Sequence, residues 1–227
     1  MPTRADALVV MAKAPVAGQV KTRLVPPLSY EEAAELYACL LSDLLDSLQS
    51  FALADLFLNY TPADAGPAFA DLAPEEFVCF PQKSGDLGER MHAAFGELSE
   101  RGYRSVVLIG SDFPVFPREF LERAFAMLRD PETDLVLGPN RDGGYYLIGM
   151  RRPVSGIFEN IAWSSDGVLT ATLNRIDSLG LKASLLPAWF DIDTPSDVAD
   201  LVETATRLDA NLPPRTLSWV RKSKHFR

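Results

Sequence analysis

Aspartates follow two apolar segments of the sequence, at positions where an unpaired carboxylate has few structural uses. Asp112 comes directly after a buried strand predicted at 105–109, and Asp191 and Asp193 alternate with Ile192. Alternate side chains of an extended segment point to the same side, so Asp191 and Asp193 form a pair. Hard divalent cations bind through one or two carboxylates together with phosphate oxygens. We therefore interpret these aspartates as a Mg²⁺ or Mn²⁺ site for a phosphorylated ligand, against the alternative that they cap turns or helices.

The loop after the first predicted strand gathers positive charge in a chain that is otherwise acidic. The sequence AKAPVAGQVKTRL at 12–24 contains Gly18 and the basic side chains Lys13, Lys21 and Arg23. Arginine binds phosphate oxygens as a fork and lysine binds them as a point charge, so the loop suits a phosphate group. It is not a Walker A loop, because other residues stand where that motif requires its two glycines. The alternative interpretation is a solvated basic loop.

Two further loops place glycines beside polar side chains. In QKSGDLGER at 82–90, backbone N–H groups before a predicted helix can bind a base edge or an anion, although a plain turn explains the pattern equally well. In GPNRDGGYYLIG at 138–149, two glycines let a ligand approach the backbone, although Asp-Gly is also a strong hairpin signal. The candidate binding residues of these loops are Gln82, Gly85, Gly88, Asn140, Asp142, Gly143 and Gly144.

Alternating strands and helices are predicted to position these loops. A capping-box pattern at Ser29 and Glu32 opens one helix, and Thr194 caps another with Pro195 in its first turn. The remaining predicted elements are strands at 7–11, 55–60, 77–80, 105–109, 134–137, 145–150 and 182–186 and helices at 88–101, 117–129 and 166–179. Such alternation predicts one α/β domain with a mainly parallel sheet. Ligands of such sheets bind beyond the carboxyl ends of the strands.

The composition is that of a globular protein. The chain has 227 residues, 47% of them hydrophobic, which excludes intrinsic disorder. The formal charge of −9 argues against a nucleic-acid partner. The longest early apolar run, at 7–12, is too short for a signal peptide or a membrane span, so we expect a cytoplasmic protein with no membrane partner. Cys39 and Cys79 lie in apolar segments and are expected to be buried free thiols, and no zinc-binding spacing is present.

The charge is unevenly distributed along the chain. Residues 1–27 hold four basic groups and one acid, and residues 215–227 hold five basic groups and no acid, so the remainder carries −17. The first basic segment includes the loop after the first strand, where it favours a small phosphorylated ligand. The second belongs to a predicted basic C-terminal tail at 210–227, which follows a predicted domain at 1–209. The sequence leaves open whether this tail is partly ordered or free.

Taken in order, these motifs resemble those of a known superfamily. The stretches AKAPVAGQVKTRL, GSDFP, DGGYYLIG, WSS and DIDTP span most of 7–205 and are similar to the nucleotide-diphospho-sugar transferases with the GT-A fold. Within that superfamily, the sequence resembles a bacterial glycosyltransferase-like family that carries a domain of unknown function. This family is similar to phospholactate and phosphoenolpyruvate guanylyltransferases and to molybdenum-cofactor nucleotidyltransferases. The resemblance implies a GT-A-like, Rossmann-like α/β/α sandwich with a mainly parallel mixed sheet.

The resemblance also implies roles for individual residues. The phosphates fall to Lys21 and Arg23, the metal to Asp112 with Asp193 or Asp191, and the base to Gln82, Gly85 and Gly88. The sequence departs from the superfamily because a closely spaced G-x-G-x-R is absent. The Asp-x-Asp of many glycosyltransferases is also absent at the middle strand. These departures make the reaction type less specific than the fold.

Two reactions are compatible with this set of residues. The first is metal-dependent glycosyl transfer from a nucleotide sugar to a small acceptor, with Asp142 and Asp191 as candidate catalytic carboxylates. Trp163, Ser164 and Ser165 are predicted to lie on the acceptor side. Trp163 is equally compatible with a place in the core. The second is guanylyltransferase-like transfer of a nucleoside monophosphate from a triphosphate to a phosphorylated small molecule. A nucleotide-binding module without turnover is a third hypothesis, and a haloacid-dehalogenase-like phosphatase fits poorly because its aspartate motif would lie too late.

Overall fold

The predicted α/β domain is confirmed by the structure, a computed structural model that describes residues 2–113, 116–208 and 214–226. Within these residues, seven strands form one sheet in the order β3-β2-β1-β4-β6-β5-β7. The strands are β1 Asp6–Lys13, β2 Asp55–Thr61, β3 Phe77–Pro81, β4 Ser105–Ile109, β5 Leu135–Pro139, β6 Tyr145–Met150 and β7 Ala183–Leu185. Strands β1 to β4 pair in parallel, and β6 pairs antiparallel with both β4 and β5. The carboxyl ends of β1 and β4 therefore lie side by side.

Helices cover both faces of the sheet, so the central strands are apolar on both sides. The helices are α1 Tyr30–Leu48, α2 Gly66–Leu72, α3 Leu87–Glu100, α4 Arg118–Arg129, α5 Val168–Ser178, α6 Pro195–Leu208 and α7 Pro214–Lys222. Leu8 and Val10 of β1 pack in a cluster with residues of α1, α2 and α4. Ala7 and Val9 pack in a second cluster with residues of α3 and α5. These two layers on a mainly parallel sheet give the α/β/α sandwich.

The starts of the helices follow from the sequence chemistry. The Ser29 side chain accepts a hydrogen bond from the Glu32 N–H at 3.1 Å, and Glu32 accepts one from the Ser29 N–H at 2.8 Å, so the predicted capping box is present. Asp86 and Glu89 form a second capping box, which starts α3 one residue earlier than the predicted position. Both boxes satisfy N–H groups that a helix cannot satisfy internally.

The C-terminal segment, predicted as a basic tail that is partly ordered or free, contains a packed helix in its described residues. Helix α7 packs on α1, and its residues Leu217 and Val220 are buried. Main-chain N–H groups of Arg215 and Thr216 donate to the buried carboxylate of Asp43 in α1. The predicted boundary between 1–209 and 210–227 falls at residues outside the described ranges and stays a prediction.

The two cysteines and the apolar character of the helices are the remaining features of the fold. Cys39 and Cys79 are free thiols, as expected, but both are half-buried rather than fully buried, and burial raises the pKa of each thiol. In the part of the chain that the structure describes, no helix is sufficiently long and apolar to span a membrane.

Candidate active site

A cleft of about 830 Å³ opens at the carboxyl ends of β1 and β4. Its position agrees with the rule that ligands of α/β sheets bind at this edge. The residues predicted from the sequence that line this cleft are Lys13, Lys21, Arg23, Gln82, Asp112, Asp142, Gly144, Trp163, Ser164 and Asp193. The predicted residues that do not line it are Gly18, Gly85, Gly88, Asn140, Gly143 and Asp191.

Lys21 lies between two of the predicted metal ligands. Its ammonium nitrogen is 2.5 Å from Asp112 Oδ1 and 2.8 Å from Asp193 Oδ1, and its side chain is only 3% exposed. Burial alone would lower the pKa of Lys21, but the two carboxylates raise it above its ordinary value. Lys21 is therefore a charged ammonium that joins the first loop to two acidic loops. Arg23, which is largely exposed, lies 3.6 Å from the other oxygen of Asp193.

Main-chain hydrogen bonds fix the two carboxylate loops. The Ile192 N–H donates to the Asp112 carbonyl oxygen at 2.8 Å, which ties the segment after β4 to the segment before α6. Asp197 then accepts hydrogen bonds from the N–H groups of Asp193 and Thr194 at 3.0 and 2.6 Å. The predicted helix start at Thr194 thereby also holds the backbone of Asp193.

A buried tyrosine in the cleft wall connects the ends of β1 and β4. Tyr37 of α1 accepts a hydrogen bond from the Lys13 N–H at 3.1 Å, and its hydroxyl lies 2.7 Å from the Ser111 hydroxyl. Burial raises the pKa of Tyr37 to about 12, so its hydroxyl stays protonated at neutral pH. The sequence did not single out Tyr37, because its position in α1 indicates only an amphipathic helix.

The two carboxylates predicted to be catalytic have different environments. Asp142 lines the cleft, and its Oδ1 accepts a hydrogen bond from the Gly144 N–H at 2.9 Å, which forms the turn between β5 and β6. Asp191 does not line the cleft. Burial, followed by the charges of Asp193 and Asp142, raises the pKa of Asp191 to about 6. Asp142 therefore forms the turn that the sequence allowed and also lines the cleft, while its role toward a ligand stays a prediction.

In the loop at 82–90, side chains line the cleft, and the two glycines that were predicted to bind the ligand do not. The Gln82 amide donates to the carbonyl oxygens of Asn59 at 2.9 Å and Ala12 at 3.4 Å, so its N–H₂ group fastens strand ends together. A Cβ atom at Gly88 would lie 2.6 Å from the Trp163 ring, which makes Gly88 a packing position. Gly85 lies outside the cleft, and its carbonyl oxygen accepts a hydrogen bond from Arg90 Nε at 2.8 Å.

The loop at 140–144 packs against the segment that opens α5. A Cβ atom at Gly143 would lie 1.9 Å from the Asp166 carbonyl oxygen, and the Gly143 carbonyl accepts a hydrogen bond from Leu169 N–H at 2.8 Å. Asn140 caps its own loop, because its side-chain oxygen accepts the Arg141 N–H at 2.8 Å. Gly143 and Asn140 therefore shape the cleft wall without lining it.

Several residues in the cleft were absent from the sequence prediction. They include Gln19, Thr22, Tyr37, Arg90, Ser111 and Asp166. Arg90 had a detectable signal, because it lies in the first turn of the helix after the second loop. Among the described residues, no carboxylate lies within ion-pair distance of Arg90.

The carboxylates of Asp112 and Asp193 fit a divalent cation whose coordination shell is completed by a bound ligand. They are too few to hold a metal ion by protein side chains alone. Among the described residues, no group of three or more histidine, cysteine, aspartate or glutamate side chains is arranged to hold a metal ion. Asp112 and Asp193 are 45% and 32% exposed, and their carboxylates already converge on one cation, the Lys21 ammonium. Mg²⁺ commonly takes one or two carboxylates and completes its shell with phosphates and water.

The fold and the cleft together define the class of nucleotide-diphospho-sugar transferase folds, and comparison with known proteins agrees. A Desulfovibrio desulfuricans G20 protein, classed by inference as a nucleotide-diphospho-sugar transferase, is 32% identical with a TM-score of 0.85, over 99% of this chain and 93% of that chain. A cytidylyltransferase from Leptospira borgpetersenii has a TM-score of 0.61 at 11% identity, over 96% of this chain and 94% of that chain, and shows the fold alone. The 2-phospho-L-lactate guanylyltransferase of Archaeoglobus fulgidus is 25% identical, over 82% of this chain and 79% of the relative.

The particular family follows from residues 44–165, which match the family described as an uncharacterized protein conserved in bacteria, DUF2064. The matched segment is just over half of the chain, and the protein belongs to this family. Its fold and its relatives make it an enzyme of the transferase class. The resemblance inferred from the ordered motifs is thereby confirmed.

Proposed function

We propose that the protein is a nucleotidyltransferase that transfers a nucleoside monophosphate from a nucleoside triphosphate to a small phosphorylated acceptor. The observation that carries the proposal is the position of Lys21, whose buried ammonium lies between Asp112 and Asp193 in a cleft that also contains Lys13 and Arg23. Three cations and two carboxylates in one cleft suit a polyphosphate with a divalent ion. The guanylyltransferase relative supports the same choice.

The reaction needs positioning and charge more than acid–base chemistry. An oxygen of the acceptor phosphate attacks the α-phosphorus, the bond to the bridging oxygen breaks, and pyrophosphate leaves with that electron pair. Lys21 and Arg23 would stabilise the charge that develops on the phosphates. Lys13, which is exposed at the end of β1, would bind a further phosphate. The turn-bound carboxylate of Asp142 has no required role in this reaction.

Asp112 and Asp193 are the residues that would hold a Mg²⁺ or Mn²⁺ ion. When bound, such an ion would withdraw charge from the phosphate oxygens. The chain's own contribution is to keep the two carboxylates facing each other, through the Ile192-to-Asp112 hydrogen bond and the Asp197 cap. The cofactor prediction of Mg²⁺ or Mn²⁺ thus rests on two oxygen donors beside the basic loop at 12–24.

Glycosyl transfer from a nucleotide sugar is the second candidate. Two observations favour it: the relative from Desulfovibrio is classed as a nucleotide-diphospho-sugar transferase, and the Asp142 carboxylate faces the cleft. In that reaction Asp142 would bind sugar hydroxyls or remove the proton of the acceptor hydroxyl. Trp163, Ser164 and Ser165 line the same cleft and would contact the acceptor.

A thermal-unfolding panel distinguishes the two reactions. Each nucleoside triphosphate, nucleoside diphosphate and nucleotide sugar is tested with Mg²⁺ or Mn²⁺ and without metal. A ligand at 100 times its dissociation constant should add about 2.7 kcal/mol of stability, or roughly 5–11 °C for a chain of this size. We expect the largest shift with one triphosphate plus metal, followed by pyrophosphate release when a phosphorylated acceptor is added.

Two aspartate variants control for the metal-dependent part of the shift. Asp112→Asn should abolish that part, while Asp177→Asn, an exposed aspartate of α5 outside the cleft, should leave it unchanged. A preferred response to a nucleotide sugar would replace the proposal with glycosyl transfer. Stabilisation by nucleotide without any product would indicate a binding module, and no response to any nucleotide would refute both reactions.

A further inference from the structure

The Lys21 ammonium occupies the place where the two candidate metal ligands converge. Its nitrogen contacts one oxygen of Asp112 and one oxygen of Asp193, and the side chain is 3% exposed. The Lys21 backbone has φ of 47°, a left-handed conformation that non-glycine residues adopt rarely and that surrounding structure must enforce. The surrounding structure therefore holds Lys21 in place, and its ammonium joins the loops that carry Asp112 and Asp193.

The ion pairs of Lys21 make this lysine a competitor of a metal ion. The ammonium already contacts both carboxylates that would hold the ion, and Arg23 lies close to the second one. A divalent cation added alone would have to displace the ammonium from these carboxylates or share them with it, and two cations at that separation repel each other. The ammonium would also lose both of its partners, and no other carboxylate of the described residues pairs with it.

We propose that Lys21 makes metal binding at Asp112 and Asp193 depend on the nucleotide. This inference rests on the proposed function, because a polyphosphate is the ligand that would offer the ammonium a new anionic partner. When phosphate oxygens enter beside Arg23, Lys21 turns from the carboxylates to the phosphates, and the carboxylates become available to the divalent ion. Metal and nucleotide then bind as a pair, and each raises the affinity for the other by the same factor.

Binding of Mn²⁺ alone to the intact protein tests this inference without any nucleotide. The concentration of free Mn²⁺ is followed by electron paramagnetic resonance in titrations of the wild type, Lys21→Met and Lys83→Met. Lys83 is an exposed lysine of the second loop outside the cleft, so its variant is the matched control. We expect Lys21→Met to bind Mn²⁺ at least tenfold more tightly than the wild type, and Lys83→Met to bind it as the wild type does.

The outcomes separate cleanly. Equal Mn²⁺ affinity of Lys21→Met and the wild type overturns the inference, and so does micromolar binding of Mn²⁺ by the wild type alone, whatever the variants do. Circular dichroism and the unfolding midpoint show whether Lys21→Met is folded. If it is not, Lys21→Gln, which removes the charge and keeps a polar side chain, replaces it with the same expectation. Because this titration contains no nucleotide, its result is independent of whether the proposed nucleotidyl transfer is correct.

Discussion

A substitution at Gly88 tests whether α3 packs closely against Trp163, which lines the cleft. Gly88 is the second residue of α3 and is buried, and a Cβ atom there would lie 2.6 Å from the Trp163 ring and 2.9 Å from Phe158 Cβ. Contacts this short force a neighbour to move. The Trp163 ring can rotate away, but the Phe158 main chain cannot shift cheaply. Gly88→Ala should therefore destabilise the protein and displace a side chain that lines the cleft.

The expected magnitude follows from two opposing effects. Overpacking a well-packed core costs about 1–3 kcal/mol. Replacing glycine by alanine in a helix returns up to about 1 kcal/mol, and less in the first turn. We expect a net loss of roughly 1–2 kcal/mol in the free energy of unfolding, which corresponds to a fall of roughly 2–8 °C in the melting temperature.

Gly96 lies in the same helix and provides the matched control. A Cβ atom at Gly96 would have no heavy atom within 4 Å, so Gly96→Ala should gain about 0.5–1 kcal/mol from helix propensity alone. Urea unfolding of the wild type and both variants measures the difference. If Gly88→Ala is stabilised as Gly96→Ala is, the packing argument is wrong. If Gly88→Ala keeps its stability but loses its response to nucleotide, the sequence-based interpretation of Gly88 as a ligand contact is correct instead.

Two further predictions concern stability away from the cleft. Burial alone would raise the pKa of Asp55, but hydrogen bonds from groups that include the Arg4 N–H and the Tyr103 hydroxyl lower it. The ionised Asp55 therefore stabilises the folded protein above the unfolded pKa of about 4. This stabilisation is lost as the pH falls through the lower pKa of the folded state. Asp55→Asn should flatten the acid limb of stability measured between about pH 2 and 5, and an unchanged slope would contradict this. Val220→Ala should lose about 1–3 kcal/mol of unfolding free energy because Val220 is 1% exposed. Ser218→Ala, on the exposed face of α7, should change stability by less than about 0.5 kcal/mol. Equal effects of the two variants in urea unfolding would show that α7 does not pack as described.

Local sequence chemistry was sufficient for most of the fold. The strand at Ser105–Ile109 follows from five consecutive small or apolar residues, and the start of α1 follows from the spacing of Ser29 and Glu32. Helix α7 was missed for a physical reason. Its basic residues and the prolines before it dominate the pattern, and only Leu217 and Val220, three residues apart, mark the face that packs on α1. A short helix with two buried positions gives little periodic signal.

The site was partly predictable because polar residues at strand ends stand out against apolar strands. Asp112, Asp193 and Lys21 were selected separately by this criterion, and the structure brings all three together. Sequence spacing could not show that the lysine contacts the aspartates, since Lys21 and Asp193 are 172 residues apart. Arg90 and Tyr37 were missed because their places in the cleft depend on how helices pack against the sheet.

An apolar cluster beneath the acidic loop links helix α7 to the candidate site. Ile192 stands between Asp191 and Asp193 and is fully buried in a cluster that also contains Leu36 of α1 and Val220 of α7. Because Ile192 is anchored inward, the carboxylate of Asp193 is held on the opposite side, toward Lys21 and the cleft. The C-terminal helix, which lies in the predicted basic tail, therefore supports the position of a candidate metal ligand. The same apolar contacts that close the core also set the direction of the Asp193 carboxylate.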